Sequence, residues 1–403
     1  MIIDREEVQK IKELKPWILV YGRRKTGKTF LVRNFVKHDE YFFVKRSGEI
    51  ITNDKNISYE TFKEIFKRAI DQNKTVVVDE FHRLNDDFFD YLHYIEKKGK
   101  VILISSTLFL SKKLVDSKTP LFGIFAEFQV DILKLKEVIK EVKKKRLSKK
   151  EIVELSILFR EPLLIKYYSK DKTAREIFKQ CIETTKYLVP ALIGEIFIEE
   201  DRKLSKVYET ILKSVAQGKI ISSDISSYLF SNKLIQKDDP STIQQYLTNL
   251  IHFGILKRIK IYNKKYFIYK HTSPLVYMYY YMEEKYNFSE KRTEELNIKQ
   301  IIDEIYPLLV EDNIREFLAN HFGLTESKID GSDYDVDAYL LKFKKPEIAI
   351  EVKWKKSISK KEILRAEEIL NKHESKRKIL FVPNKNEVKF KTSLEVLDIF
   401  DFV

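Results

Sequence analysis

A glycine-containing loop that directly follows a short apolar run constrains the fold of this chain more than any other feature. The run 17–21 (Trp-Ile-Leu-Val-Tyr) is typical of a buried strand, and residues 30–36 behind the loop have the spacing of an amphipathic helix. The loop between them consists of Gly22, Arg23, Arg24, Lys25, Thr26, Gly27, Lys28 and Thr29. A strand, such a loop and a helix in this order predict the phosphate-binding unit of an α/β sheet.

The residue types of the loop match a nucleoside triphosphate with its metal ion. Glycines let backbone N–H groups close around a phosphate, Lys28 reaches the β and γ phosphates, and the Thr29 hydroxyl binds magnesium. We therefore expect ATP and Mg²⁺ as cofactors. All eight loop residues are expected to contact the nucleotide, and Thr29 is also a metal ligand.

A second motif supplies the groups that hydrolysis requires. Asp79 ends the apolar run 75–79, where a carboxylate can hold magnesium and its water, and Glu80 can orient and deprotonate the attacking water. Ser106, or Thr107 beside it, follows the next apolar run and is a candidate sensor of the γ phosphate. A purely structural hydroxyl at that strand end is the alternative.

Alternating apolar runs and amphipathic segments predict an α/β fold class with a parallel, doubly wound sheet. Strands are expected at 17–21, 41–44, 75–79 and 101–105, with a helix at 59–71. The predicted domains are a P-loop ATPase core at 1–133, a helical lid at 134–201, a winged helix with a following helix at 202–283, a linker at 284–300 and a further α/β domain at 301–403.

The range 202–272 predicts three helices and a two-stranded hairpin, the order of a winged helix. Its third helix carries Gln244, Gln245 and Asn249, which can read base edges, and the hairpin carries cations for phosphates: Lys257, Arg258, Lys260, Lys264 and Lys265. The chain has 75 Lys and Arg against 61 Asp and Glu, a net charge of +14, which favours DNA as a partner. A lysine-rich proteome, adaptation to heat, and a winged helix that contacts protein remain alternatives.

Four charged residues near the C terminus resemble the PD-(D/E)xK nuclease motif. Asp335 and Asp337 share one strand face, as do Glu351 and Lys353, and a turn near Lys344 would pair the two strands. Asp337 and Glu351 would then be close enough to bind Mg²⁺ or Mn²⁺, with Lys353 activating water. Glu316, in a preceding helical segment, is a candidate third carboxylate. Ordinary surface carboxylates are the alternative.

Taken together, these motifs resemble those of archaeal STAND-like P-loop ATPases, whose members carry a winged helix and often a C-terminal nuclease-like domain. The resemblance rests on these segments: 4–6, 22–29, 79–84, 120–123, 208–218 and 246–255. It implies a restriction-endonuclease-like fold for the last domain and places Asp4-Arg5-Glu6 near the adenine. Two departures matter: Ile124 replaces a typical arginine, and Arg160-Glu161-Pro162 replaces a glycine-rich turn. If the missing arginine assists hydrolysis, turnover is slow.

The sequence thus favours a Mg²⁺-dependent ATPase that acts on DNA or is regulated by it, with a metal-dependent nuclease-like domain. A nucleotide-gated switch or scaffold and a transcription regulator, both with a C-terminal domain that does not cleave, are the alternatives. Cys181 is the only cysteine, which excludes an internal disulfide and favours the cytoplasm. No apolar run is long enough for a membrane span, and self-association into a homo-oligomer is left open.

Overall fold

The computed structural model describes residues 1–14, 17–105, 123–169, 171–198, 202–292, 296–331 and 334–403. The described chain divides into two compact units. The N-terminal unit comprises Asp4–Ile132 with His252–Gly254, and the C-terminal unit comprises Met1–Ile3, Leu133–Ile251 and Ile255–Val403.

The N-terminal unit is built on a seven-stranded sheet. Its helices and strands are α1 (Glu6–Glu13), β1 (Trp17–Tyr21), α2 (Lys28–Phe35), β2 (Glu40–Val44), β3 (Ile50–Thr52), β4 (Lys55–Ile57), α3 (Tyr59–Asp71), β5 (Thr75–Asp79), α4 (Asp86–Tyr94), β6 (Lys100–Ile104) and β7 (Ala126–Gln129). The strand order is β4-β3-β2-β5-β6-β1-β7. The five strands from β2 to β7 in this order are parallel, which confirms the predicted α/β sheet. The antiparallel ribbon β3–β4 and strand β7 were not expected from the sequence.

Both faces of this sheet are buried, because successive residues of each strand point to opposite faces. Leu19 faces a cluster that includes Phe62 of α3 and Phe88 of α4. Its neighbour Ile18 faces the opposite cluster, with Ile11 of α1 and other residues of α1 and α2. Burial on both sides explains why these strands are continuous apolar runs in the sequence. The sheet therefore holds the carboxyl ends of β1 and β5 in fixed positions.

The C-terminal unit contains α5 (Leu135–Val142), α6 (Lys149–Leu158), α7 (Ala174–Ile198), α8 (Arg202–Ala216), α9 (Ser222–Ser231), α10 (Gln244–His252), β8 (Leu256–Ile261), β9 (Phe267–His271), α11 (Pro274–Tyr286), α12 (Ile298–Phe322), β10 (Ser327–Asp330), β11 (Asp335–Val336), β12 (Ala338–Lys342), β13 (Lys345–Val352), α13 (Lys360–Asn371), β14 (Arg377–Phe381) and β15 (Glu395–Leu397). Among the described residues, no helix has the combination of length and apolar content that a membrane crossing needs.

The expected linker 284–300 is only in part a linker. Helix α11 extends to Tyr286, and α12 begins at Ile298. Between them Phe288 is fully buried and its ring contacts that of Tyr279. The many charged residues of this segment led to the linker prediction, although the buried Phe288 anchors the segment in the core.

Three helices and a hairpin follow one another at the positions expected for a winged helix. The hairpin, however, is part of a larger sheet with the order β11-β10-β8-β9. Strand β8 pairs with β9 on one side and, in parallel, with β10 on the other, where Lys260 is opposite Ser327. The winged-helix interpretation remains a prediction, and the structure joins its hairpin to the last hundred residues.

A third sheet, β12-β13-β14-β15, forms the core of the last hundred residues. Strands β12 and β13 are antiparallel, and the turn between them lies at Phe343 and Lys344, where the sequence predicted it. Helix α13 covers this sheet through Ile363, Ala366 and Leu370. The register of β12 with β13 positions the carboxylates described below.

His271 at the end of β9 is buried, and neither of its ring nitrogens has a hydrogen-bond partner among the residues that the structure describes. Burial, and then the neighbouring Lys270, lower its pKa to about 3, against a smaller opposing effect of Asp312. In the folded protein the imidazole is therefore neutral, whereas in the unfolded chain it titrates near the ordinary value of 6.5.

We predict that His271 makes the protein less stable as the pH falls from 6.5 towards 3. Between pH 6.5 and pH 3 the unfolded chain binds a proton at His271 that the folded protein does not bind. The contribution of His271 to the free energy of unfolding is therefore complete above pH 6.5 and declines by about 1.4 kcal/mol per pH unit between pH 6.5 and pH 3. Urea denaturation between pH 6 and pH 4 should show that slope in the difference between wild type and His271→Phe. Parallel stability curves would contradict the assignment.

Candidate functional site

Gly22 allows the loop to leave β1 beside another strand end. Its φ is +150°, and a Cβ atom at this position would lie 2.1 Å from the carbonyl oxygen of Val130. Gly27, with a φ of +90°, is the residue before α2, which begins at Lys28. The backbone N–H groups at the start of α2 have no helical carbonyl partner, so they are available for an anion. Both glycines are therefore required by the shape of the loop.

Lys28 lies inside the loop. Its side chain is buried, and Nζ donates to the carbonyl oxygens of Gly22 at 2.7 Å and Arg23 at 2.9 Å. Burial lowers the pKa of Lys28 to about 8, although the carboxylates of Glu80 and Asp79 oppose this effect. A phosphate in the loop would supply the negative charge that this buried ammonium group lacks.

Asp79 is the meeting point of three elements. Its Oδ2 accepts hydrogen bonds from the hydroxyls of Thr29 and Tyr41, each at 2.7 Å, while its buried Oδ1 has no partner in the part of the chain that the structure describes. Burial raises the pKa of Asp79. A carboxylate oxygen and a threonine hydroxyl next to a phosphate loop are suitable magnesium ligands, and the unpartnered Oδ1 fits a metal-bound water. Tyr41 was not expected, because an aromatic residue in a strand usually indicates only core packing.

Glu80 follows Asp79 in a left-handed conformation with φ of +58°. Such a backbone is costly for a residue with a side chain and is concentrated at functional sites. Its carboxylate lies 2.8 Å from Arg83 and 3.5 Å from the ring of His82. The turn thus directs Glu80 away from the strand and holds it beside a cation.

Arg5 fastens the loop from outside. Its guanidinium donates to the carbonyl oxygen of Thr26 at 2.8 Å and to that of Asp131 at 2.9 Å, and it contacts Glu7 at 3.1 Å. In the sequence, only the family resemblance of residues 4–6 indicated that Arg5 lies near the nucleotide site. Its hydrogen bonds to Thr26 and Asp131 show that Arg5 supports the loop.

The remaining predicted residues of this site have the following positions. Arg23 and Thr26 are buried, Arg24 is partly buried and Lys25 is exposed in a left-handed conformation. Ser106 and Thr107 lie outside the described residues, so the sensor remains a prediction. Ile124 is half-buried and packs against the sheet core, as an apolar residue should.

The C-terminal carboxylates are brought together as the sequence analysis expected. Ala338 is opposite Ile350, and extending this register by one residue puts Asp337 opposite Glu351. Asp337 Oδ2 accepts from the backbone N–H of Val352 at 2.8 Å, and Lys353 Nζ lies 2.5 Å from Glu351 Oε1. Burial raises the pKa of both Asp337 and Glu351. The buried Glu351 Oε2 has no partner within the described ranges, which leaves an oxygen for a cation.

Glu316 does not join this pair. It contacts Arg160 at 2.5 Å and Lys257 at 2.7 Å instead. Successive helix residues differ in direction by about 100°, and the carboxylate of α12 that acts electrostatically on Asp337 and Glu351 is Glu311. Asp335 pairs with Lys328 at 2.8 Å. Within the described ranges, no three acidic, histidine or cysteine side chains are grouped closely enough to hold a metal ion alone.

A cleft of about 380 Å³ opens beside Glu351. We call it the C-terminal cleft, and its charged lining residues are Asp335, Glu351, Lys353, Lys355, Glu362 and Arg365. The size is in the range of small-molecule sites. Both acids and cations line it, as a site for a metal ion and a phosphate requires.

The expected DNA-contacting residues of the hairpin are only in part available. Arg258, Lys260, Lys264 and Lys265 are exposed. Lys257 is instead held by Glu316 and by Glu326, at 2.7 and 3.3 Å. On α10, Asn249 donates to the hydroxyl of Tyr208 at 2.6 Å, whereas Gln244 and Gln245 are exposed.

Comparison with known proteins supports the interpretation of the N-terminal unit. Residues 14–139 match the family model described as an AAA domain. The N-terminal unit is an AAA-like P-loop fold. The uncharacterized protein MJECL04 of Methanocaldococcus jannaschii is 25% identical over 290 residues, 64% of this chain and 62% of that protein. The chain thus spans less than two thirds of this relative.

Two solved structures of archaeal proteins match this chain to different degrees. The Walker-type ATPase PABY2304 of Pyrococcus abyssi matches with a TM-score of 0.53 and 20% identity, over 69% of this chain and 96% of that one. This likeness shows the fold. The STAND protein PH0952 of Pyrococcus horikoshii, which has a tetratricopeptide repeat sensor, matches with a TM-score of 0.30 and 14% identity, over 80% and 54% of the two chains. A score this low supports no argument about function.

We predict that Gly22→Ala abolishes nucleotide binding and lowers stability, because its Cβ would collide with the Val130 carbonyl. Gly194→Ala is the matched control: Gly194 lies within α7 and nothing is within 4 Å of an added Cβ. It should be neutral or stabilise the helix by up to about 1 kcal/mol. Thermal unfolding with and without ATP and Mg²⁺ distinguishes the two variants, and a Gly22→Ala protein that is still stabilised by ATP would refute the loop geometry.

Proposed function

We propose that this protein is a Mg²⁺-dependent ATPase that acts on DNA. The observation that carries the first part is the hydrogen bond from Thr29 to Asp79 beside the loop, with the second Asp79 oxygen buried and without a partner among the described residues. Thr29 and Asp79 would hold a magnesium ion beside the phosphates of the nucleotide, and the ion would polarise the phosphoryl oxygens.

Each side chain has a distinct part in this reaction. Lys28 and the loop N–H groups bind the phosphates, and Thr29 and Asp79 hold the metal. Glu80 accepts a proton from the water that attacks the γ phosphorus, after leaving its contact with Arg83. If the arginine that Ile124 replaces assists hydrolysis or senses the nucleotide, turnover should be slow.

DNA is proposed as the partner because of the basic hairpin and the positive net charge. The C-terminal cleft is proposed as a second, nuclease-like site. Glu351 lines the cleft and Asp337 lies opposite it on the neighbouring strand, so the two carboxylates would fit one Mg²⁺ or Mn²⁺ ion, and Lys353 would bind the phosphate or the attacking water. The main competitor is a nucleotide-gated switch whose C-terminal domain binds DNA without cleaving it.

We predict that Glu80→Gln lowers ATP turnover by about 100-fold or more, the usual contribution of a general base, while MgATP still binds. Phosphate release and nucleotide titration measure the two quantities. Glu96→Gln is the matched control, since Glu96 is an exposed carboxylate of the same unit that pairs with Lys98. Turnover of Glu80→Gln within twofold of wild type would remove Glu80 as the base.

We also predict that wild-type protein nicks supercoiled plasmid with Mn²⁺ and that Asp337→Asn does not, because a neutral amide binds the cation much more weakly than a carboxylate does. Asp303→Asn, at an exposed ion pair with Arg175, should nick as wild type does. ATP turnover should be the same in all three proteins. Equal nicking by Asp337→Asn would assign the cleavage to another site or a contaminant.

A further inference from the structure

The hairpin and the C-terminal cleft belong to one continuous sheet. Lys260 and Ile261 of β8 pair in parallel with Ser327 and Lys328 of β10, and β10 pairs in turn with β11. Asp335 of β11 lines the cleft. Neighbouring strands are about 4.8 Å apart, so β11 lies about 10 Å from β8. Backbone hydrogen bonds therefore connect the hairpin directly to the rim of the cleft.

Side chains reinforce this connection on both strands of the hairpin. Lys257 of β8 is paired with Glu316 and Glu326. Lys270 of β9 is paired with Asp312 at 3.2 Å. Both pairs end on α12 or just after it, and removal of one member would leave a charge without its partner in a largely buried place. These ion pairs prevent the hairpin from swinging independently.

The hairpin tip is held as well. The ring of Tyr262 contacts that of Tyr339, with centroids 4.8 Å apart, and the Tyr266 hydroxyl donates to Asp330 at 3.2 Å. A wing that moved to accommodate its ligand would have to break these contacts. These contacts thus fix the position of the hairpin and of its exposed side chains.

The exposed charges of the hairpin and of the C-terminal cleft indicate which ligand this surface binds. Four exposed hairpin cations, Arg258, Lys260, Lys264 and Lys265, have no acidic residue among them. Three cations also line the cleft: Lys353 and Lys355 are paired there with Glu351 and Glu362, and Arg365 is exposed. A duplex carries phosphates at spacings of a few ångströms along both strands, so one duplex can contact the exposed hairpin cations and Arg365 at the same time.

We infer that the hairpin and the C-terminal cleft form a single rigid surface for duplex DNA, which holds one phosphodiester at the cleft at a fixed distance from the segment on the hairpin. The distance is the same whether ATP, ADP or no nucleotide is bound. The inference rests on the proposed function, since it takes DNA as the partner, but it does not require that the cleft cleaves.

Tethered cleavage measures the distance without relying on nuclease activity. Iron–EDTA is attached to Lys264→Cys at the hairpin tip or to Lys355→Cys at the cleft. The native Cys181 is buried and burial raises its pKa to about 12, so it should resist labelling. Each labelled protein is bound to an end-labelled duplex selected for binding from a random pool.

We expect each protein to cut at one cluster of positions, with the same offset between the two clusters under all three nucleotide conditions. An offset that changes with nucleotide, or cuts from the hairpin label alone, would overturn the inference. Failure to bind duplex, or preference for RNA or for a protein, would overturn it too. Tethered cuts at a constant offset without Mn²⁺-dependent nicking would instead retain the surface and remove the nuclease.

Salt dependence supplies an independent test of the hairpin. Lys264→Ala/Lys265→Ala should reduce the slope of log affinity against log salt by about 1.8, since each lost phosphate contact removes about 0.9. The control is Lys97→Ala/Lys98→Ala, which removes two adjacent exposed lysines from the N-terminal unit. Equal slopes in both double variants would exclude the hairpin tip from the DNA surface.

Discussion

The hydrogen bond between Thr29 and Asp79 is the interaction on which the nucleotide site depends. It joins the first turn of α2 to the end of β5, although β6 lies between β5 and β1 in the sheet. The two groups meet only because parallel strands bring their carboxyl ends to one edge, the usual place for ligands in such sheets. Gly22 makes the loop path feasible, and Tyr41 holds the same carboxylate oxygen. The site is thus a property of the sheet order as much as of the loop.

The C-terminal unit is organised by buried charge. The guanidinium of Arg315 is fully buried, contacts Asp312, Glu311 and Glu326, and donates to the backbone carbonyl of Asp337 at 2.9 Å. Burying a guanidinium is unfavourable unless carboxylates and hydrogen bonds compensate for the lost water. Here the compensation comes from α12 and from Glu326, just before β10, so the residues that neutralise Arg315 also fix the backbone at Asp337.

The strands of the N-terminal sheet could be predicted because they are buried on both faces and therefore apolar throughout. The P-loop and Asp79 could be predicted because their chemistry demands particular residues at particular spacings. Strand β7 could not be predicted, because none of its residues is fully buried and only alternate ones are partly buried, so it is not a continuous apolar run. The register of β12 with β13 could be predicted because the position of one turn decides which residues lie opposite each other. The regular alternation of side chains along a strand then decides which of them share a face.

The errors concern contacts between segments that are distant in the sequence. Glu316 was predicted from its position in a helix, but only the packing of α12 decides that Glu311 acts electrostatically on Asp337 and Glu351, whereas Glu316 contacts Arg160. Lys257 was predicted to contact DNA. Its acidic partners lie about 60 to 70 residues later in the sequence, so the ion pairs could not be recognised from the hairpin alone. Arg160, noted as a departure from the family pattern, donates to Asn313 and pairs with Glu316, which explains why a charge is needed there.

The most direct test of the account is the affinity for ATP with and without Mg²⁺, measured by titration calorimetry on wild type and Asp79→Asn. The account predicts that Mg²⁺ strengthens ATP binding in wild type and that Asp79→Asn loses this gain while it still binds ATP through Lys28 and the loop. An ATP affinity that is independent of Mg²⁺ in wild type, or an undiminished Mg²⁺ effect in Asp79→Asn, would contradict it.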